Sequence, residues 1–194
     1  MGAALALVVF APALALGSFL NVVAARLPEG RSLIRPRSAC GSCEAEIAWH
    51  DNIPILSFAV LRGRCRSCAI RISWRYPIIE ALTRALFAAA YLKFGLSVDF
   101  AAAAVLLAAL VALTAIDLEH QLLPDVITLP GILTGVVASV ASPNGSLVDS
   151  LLGIALGGGL FFIIILASGG GMGGGDMRLP PMLGAFMGWE VTLV

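Results

Sequence analysis

Gly169-Gly170-Gly171-Met172-Gly173-Gly174-Gly175-Asp176 comes two residues after the run Leu160-Phe161-Phe162-Ile163-Ile164-Ile165-Leu166. Six glycines precede one carboxylate in a very apolar chain. A helix does not continue through such a stretch, because each glycine costs up to about 1 kcal/mol there relative to alanine. Its backbone can bend sharply and approach another backbone closely, having no Cβ in the way. It delivers Asp176 to the start of the next apolar segment, from Met177 onward. An acid at the end of a membrane helix marks a candidate functional site. The remaining segments read as the means of bringing a second acid to it.

Composition supports a membrane setting. Of 194 residues, 59% are hydrophobic and 12% charged, against roughly 25% charged in soluble domains. The expected fold class is therefore all-α, a polytopic transmembrane helix bundle carrying one small cytoplasmic loop domain. The formal net charge is zero, and no nucleic-acid partner is expected. The charge is unevenly placed: nine arginines lie between Arg26 and Arg75, against Glu29, Glu44, Glu46 and Asp51. The first segment lacks the basic start and short apolar core of a cleavable signal peptide. The sequence ends inside the apolar stretch Val191-Thr192-Leu193-Val194, and further membrane segments are expected beyond it.

In chain order, residues 1–25 read as a first transmembrane helix, long enough for the roughly 20 residues a bilayer requires. Pro12 is expected to kink it, and Asn21 to seek a partner inside the bundle. Residues 26–76 form the polar, arginine-dense region that the positive-inside rule places in the cytoplasm. Residues 77–194 read as a membrane domain. It contains a helical hairpin over 77–95 and 97–116, then the polar break Ile116-Asp117-Leu118-Glu119-His120-Gln121-Leu122-Leu123-Pro124-Asp125. A second hairpin over 126–141 and 147–168 turns at Ser142-Pro143-Asn144-Gly145-Ser146, a run of strong turn formers. Glu80 and Arg84 are spaced to pair on one helix face, and a place at the membrane surface is the preferred reading for both. Pro180 and Pro181 fit a helix only within its first turn, with Asp176 as its N-cap.

The polar region holds all four cysteines, Cys40-Gly41-Ser42-Cys43 and Cys65-Arg66-Ser67-Cys68, with 21 residues between the pairs. Two such knuckles suit the tetrahedral thiolate shell of Zn²⁺. Four thiolates and the ion sum to −2, and Arg37, Arg62, Arg64 and Arg66 lie nearby to offset it. Disulfides or a redox pair are the alternatives. A cytosolic loop is kept reduced, and one pair would suffice for redox chemistry. Cys40, Cys43, Cys65 and Cys68 are thus the expected ligands of a structural zinc, which would fold a loop too small to own a core.

Segment parity puts Asp117, Asp125, Asp176 and the cysteine loop on one side of the membrane, and the arginines make that side cytoplasmic. Two aspartates at helix ends can share a proton and activate water. A helix C-terminus disfavours negative charge and an N-terminus favours it, so Asp117 is expected as the acid and Asp176 as the base. Asp125 reads as a first-turn residue or a supporting hydrogen bonder. Asp99 and Asp149 fall on the opposite side, and His120 reads as a hydrated loop residue.

With these residues placed, the chain resembles the bacterial type IV prepilin peptidases, which are GxGD-type intramembrane aspartic proteases. The resemblance rests on an ordered set of motifs. The set runs from Gly17-Ser18-Phe19-Leu20-Asn21-Val22-Val23 with Arg26-Leu27-Pro28, through Arg37-Ser38-x-Cys40-x-x-Cys43 and Trp49-x-Asp51-Asn52-Ile53-Pro54. It continues with Leu61-Arg62-Gly63-Arg64-Cys65-Arg66-x-Cys68, Ile72-Ser73-x-Arg75-Tyr76-Pro77 with Glu80, and Ile116-Asp117 through Leu123-Pro124-Asp125. It closes on Gly173-x-Gly175-Asp176 with Leu183-Gly184-Ala185. The resemblance implies removal of a basic leader from prepilins or pseudopilins at the cytoplasmic face of the bacterial inner membrane. It also implies N-methylation of the new terminus with S-adenosylmethionine, and it makes Asp117 and Asp176 the catalytic pair. No methyl-donor residues are assigned. Gly41 departs from the family's frequent proline, Ser168 to Gly171 from a more polar run, Arg178 from a common lysine, and Pro180-Pro181 is unusual. The competing readings are a non-catalytic zinc-containing scaffold of a pilus or secretion system, a peptidase lacking methylation, and a small transporter. The transporter is disfavoured because the acids sit at segment ends rather than at mid-membrane.

Overall fold

The computed structural model describes residues 2–53, 55–143, 145–167 and 177–192. The described residues are helical, with isolated antiparallel bridges in the polar loop and no longer strand among them. The chain divides into two compact units, Met1–Tyr91 and Leu92–Val194.

The first unit contains α1 (Gly2–Arg26), a short 3-10 turn (Trp49–Asn52), α2 (Leu56–Val60) and most of α3 (Arg75–Phe94). Pro12 lies inside α1, which is continuous across it. α1 and α3 approach closely at Gly17, where an added Cβ would stand 3.1 Å from the Glu80 Cα. Asn21 finds its partners here: its Nδ2 donates to the Tyr76 carbonyl at 3.2 Å and to the Gly17 carbonyl at 3.4 Å. Glu80 corrects the surface reading. It is buried, at 8% exposure, and its Oε2 accepts the Ile55 N–H at 2.8 Å. Ile55 is a non-glycine residue at φ 58° that precedes α2, so its N–H needs an outside acceptor, and the α3 carboxylate supplies it.

The polar loop is built from two copies of one turn. Cys40 N–H donates to Ala45 O and Glu44 N–H to Cys40 O, while Cys65 N–H donates to Ile70 O and Ala69 N–H to Cys65 O. The flanking bridges Ala39–Glu46 and Arg64–Arg71 repeat at the same spacing. So does the left-handed residue after each second cysteine, Glu44 at φ 54° and Ala69 at φ 56°. Each copy folds its Cys-x-x-Cys into a tight turn that points backbone N–H groups toward the sulfurs. Asp51 ties the connecting segment to the second copy through a bidentate pair with Arg66, both contacts at 2.6 Å.

The second unit contains α4 (Val98–His120), α5 (Asp125–Ala141), α6 (Leu147–Ala167) and α7 (Leu179–Thr192). α4 extends past the expected break and ends four residues later. Its stop is Gln121, in the left-handed conformation with its N–H on the Asp117 carbonyl at 2.9 Å. Leu118 and Glu119 favour helix, and the residue before Pro124 is where helical geometry becomes costly. Among the described residues, α4 and α6 are long and apolar enough to cross a membrane. Large apolar side chains cover the exteriors, including Leu133, Val137, Ile163 and Leu166. The interior seams are small: Thr128, Gly131 and Gly135 on α5, and Ser150, Gly153 and Gly157 on α6. Small residues facing inward and large ones outward are what helix packing in lipid favours.

Candidate functional site

The four cysteines come together. Their sulfurs lie within 4.8 Å of one another, and Cys40 Sγ is 3.8 Å from Cys68 Sγ. A tetrahedral zinc with Zn–S bonds of about 2.3 Å separates its sulfurs by about 3.8 Å, so the residues fit that ion. The cysteines are unbridged. Backbone N–H groups of Ser42 and Cys43 bring the Cys40 thiol down to about 6. At Cys68 the Ile70 N–H pulls the same way, but desolvation and the neighbouring sulfurs prevail and hold the thiol up at about 12. Four sulfurs this close do not all ionise unless a cation joins them. The knuckles therefore supply the geometry of a thiolate site, and a bound metal would supply the missing charge.

The acids of the second unit sort by position. Asp117 lies in the last turn of α4 and is exposed. His120 closes the same helix, half-buried rather than in a loop, with Nε2 3.7 Å from Glu119 Oε2. Asp125 opens α5 after the short link Gln121–Pro124. Asp99 is in the first turn of α4, where its carboxylate accepts from the Ser142 hydroxyl just after α5. Eighteen residues of helix separate it from Asp117, about 27 Å at 1.5 Å per residue. The two ends of the α4–α5 hairpin thus carry different acids, Asp117 and Asp125 at one end and Asp99 at the other. Asp149 lies in the first turn of α6.

The glycine loop and Asp176 lie outside the described residues, but the helix start corrects the expected cap: the N-cap position of α7 falls on Arg178 rather than on Asp176, because the first helical hydrogen bond is accepted by the Arg178 carbonyl. The start of α7 is described. The Arg178 carbonyl accepts the Met182 N–H at 3.3 Å, and α7 opens at Leu179, three residues after Asp176. Pro180 and Pro181 fall within its first turn, where the missing N–H groups cost nothing. The proline pair thus leaves the start of the helix intact, and α7 is broken instead at Gly188, at φ 76° and ψ 179°. α7 packs along the seams of α5 and α6. A Cβ added at Gly131 would meet Met182, one at Gly135 would meet Ala185, and one at Gly157 would stand 2.7 Å from the Pro180 carbonyl. The Ser150 hydroxyl donates to the Ala185 carbonyl at 2.8 Å.

Three contacts carry no expectation from the sequence. They are the Asp51–Arg66 pair, the Glu80–Ile55 hydrogen bond, and an ion pair between Asp125 Oδ1 and Arg178 Nη1. The Gly131-xxx-Gly135 and Gly153-xxx-Gly157 spacings hold a signal for the helix seams. The long-range ionic partners hold none.

Apolar exteriors, small-residue seams and a four-cysteine knuckle define a helical membrane protein with a loop whose clustered cysteines could hold a metal ion. Residues 12–94 match the Bacterial Peptidase A24 N-terminal domain and residues 104–194 match the Type IV leader peptidase family. A prepilin leader peptidase/N-methyltransferase of Myxococcus xanthus is 41% identical over 99% of this chain and 59% of its own length. Proteins of the same name from Klebsiella pneumoniae and Bacillus subtilis are 39% and 36% identical. Those matches cover 93% of this chain in both cases, and 84% and 73% of the relatives. No solved structure matches the chain. The chain belongs to the type IV leader peptidase family.

Proposed function

We propose that this protein is a membrane aspartic endopeptidase that removes the basic leader from type IV prepilins or pseudopilins and then N-methylates the new terminus. Asp117 and Asp176 are the catalytic pair. One carboxyl takes a proton from water and the other protonates the leaving amine, a division available to two acids that share a proton. The identity to the Klebsiella pneumoniae relative, extending over 93% of this chain, carries the reading. Asp117 at the exposed end of α4 and the opening of α7 three residues after Asp176 are consistent with it.

The substrate's physics fits this placement. A lysine- or arginine-bearing leader stays in the cytoplasm while the apolar pilin helix enters the bilayer. The scissile bond then lies at the interface, where helix ends carry the acids. On this reading the protein sits in the bacterial inner membrane with the cysteine loop and both aspartates on the cytoplasmic side. Residues 1–25 are the first membrane helix, 26–76 the cysteine domain and 77–194 the peptidase domain. Cys40, Cys43, Cys65 and Cys68 hold a structural Zn²⁺ that braces the loop. S-adenosylmethionine is the methyl donor.

The test is cleavage of a purified prepilin by the membrane protein and by its Asp117→Asn and Asp176→Asn variants, each checked for retained thermal unfolding and bound metal. Loss of cleavage in both folded variants is expected. Cleavage by Asp176→Asn at the native rate would remove Asp176 from the chemistry.

A further inference from the structure

Asp176 is joined on its N-terminal side to six glycines within seven residues. Glycine has no Cβ and little conformational preference of its own. The sequence thus leaves the C-terminal side of Asp176 as the side from which its position can be set. There Arg178 follows two residues later, and by chain length its Cα lies within about 7 Å of that of Asp176. The Arg178 guanidinium pairs with the Asp125 carboxylate. Asp125 is the first residue of α5, and the preceding link, Gln121–Pro124, joins it to the last turn of α4. Gln121 is itself fixed to Asp117 by its N–H on the Asp117 carbonyl. One ion pair thus closes a circuit from the backbone of Asp117 to a point two residues from Asp176.

Taking Asp117 and Asp176 as the catalytic pair, we propose that Asp125 and Arg178 are positioning residues, whose ion pair holds the start of α7 against the start of α5 and so keeps Asp176 at the end of the bundle that carries Asp117. Neither residue touches the reacting atoms in this role. The side chains are 43% exposed for Arg178 and 47% for Asp125. A pair so exposed adds little to stability, so its effect belongs in catalysis rather than in folding. The rest of α7 is set by apolar and backbone packing, at Gly131 against Met182 and Gly157 against Pro180. That packing reaches Pro180, the second residue of α7, and the ion pair extends the hold to Arg178, the residue before the helix.

The experiment uses the full-length membrane protein and a purified prepilin. The variants are Asp125→Ala, Arg178→Ala, the exchange Asp125→Arg with Arg178→Asp, and Asp117→Asn as the test of the catalytic reading. An exposed ion pair can bias the position of the start of α7 by up to about fivefold. The single variants are expected to lose kcat about three- to fivefold, with KM and the unfolding temperature close to native. The exchange is expected to return to within about 1.5-fold of native, since a pairwise contact is diagnosed by such a cycle. Single variants within about 1.5-fold of native, or an exchange no better than the worse single, overturn the pairing. An Asp125→Ala variant as inactive as Asp117→Asn, with no recovery in the exchange, would make Asp125 a chemical participant and overturn the positioning role. Native-rate cleavage by Asp117→Asn would instead sink the catalytic reading, and the proposal with it.

Discussion

The crossing of α6 and α7 is a close approach of two helix backbones, and Gly184→Ala is the sharpest test of it. A Cβ at Gly184 would stand 2.2 Å from the Gly153 carbonyl oxygen and 2.3 Å from its carbonyl carbon, while one at Gly153 would stand 2.4 Å from the Gly184 oxygen. Real Cβ atoms essentially never come within 3.0 Å of such neighbours. Every obstructing atom is backbone, so no side chain can swing aside, and the helices must separate by about 1 Å. Overpacking of this kind costs about 1–3 kcal/mol, offset by up to about 1 kcal/mol for alanine over glycine in a helix. The expected net loss is about 1–2 kcal/mol.

The functional loss should exceed the loss of stability. α7 carries the segment that comes after Asp176, and displacing a catalytic group by about 1 Å can cost about 100-fold in rate. The assay pairs thermal unfolding in detergent with kcat for prepilin cleavage. Gly159→Ala is the matched control, because it lies on the same α6 helix and an added Cβ there meets nothing within 4 Å. It should be neutral or slightly stabilising. A Gly184→Ala protein with native unfolding temperature and native kcat would refute the close crossing. Equal damage from Gly159→Ala would show that the effect is not specific to it.

Serine at any one of Cys40, Cys43, Cys65 or Cys68 should reduce bound zinc well below one ion per chain, read by metal analysis, and acidification should release the ion because protons compete for the thiolates. The Arg66 guanidinium bonded to Asp51, with its positive charge, holds that carboxyl below its ordinary value of 3.8. The folded value is depressed, so the pair's contribution is present above the ordinary value and lost as the pH falls through the lower folded one. Hydrogen exchange in the loop should therefore separate native from Asp51→Asn at neutral pH and bring them together in strong acid. Glu80→Ala leaves the Ile55 N–H without its acceptor and should cost about 1–3 kcal/mol in unfolding measurements. Glu80→Gln keeps an acceptor oxygen and should cost less, and equal losses in the two would show that the hydrogen bond is not the cause.

The helices are legible in the sequence because their signals are local. Apolar runs and turn chemistry place α5 at 126–141 against an observed Asp125–Ala141, and α6 at 147–168 against Leu147–Ala167. The end of α4 is not legible, because polar residues at a helix terminus look like a loop until the left-handed Gln121 shows where the helix stops. The cysteine cluster is legible from spacing alone, since two Cys-x-x-Cys turns leave few ways to arrange four sulfurs. Glu80 escapes a sequence reading because its partner is a backbone N–H 25 residues away. Nothing local distinguishes a carboxylate that faces a membrane surface from one that seals the start of a short helix. Arg178 and Asp125 are 53 residues apart, and neither carries a mark of the other.

The glycines of α5 and α6 are explained by what they face. In α5 and α6 they recur every four residues, at Gly131 and Gly135 and at Gly153 and Gly157, on the face that meets α7. In water such glycines would weaken a helix by about 1 kcal/mol each. In lipid, large side chains gain little by moving from acyl chains to a protein interior. Close backbone approach, van der Waals contact and the Ser150–Ala185 hydrogen bond become the available sources of association.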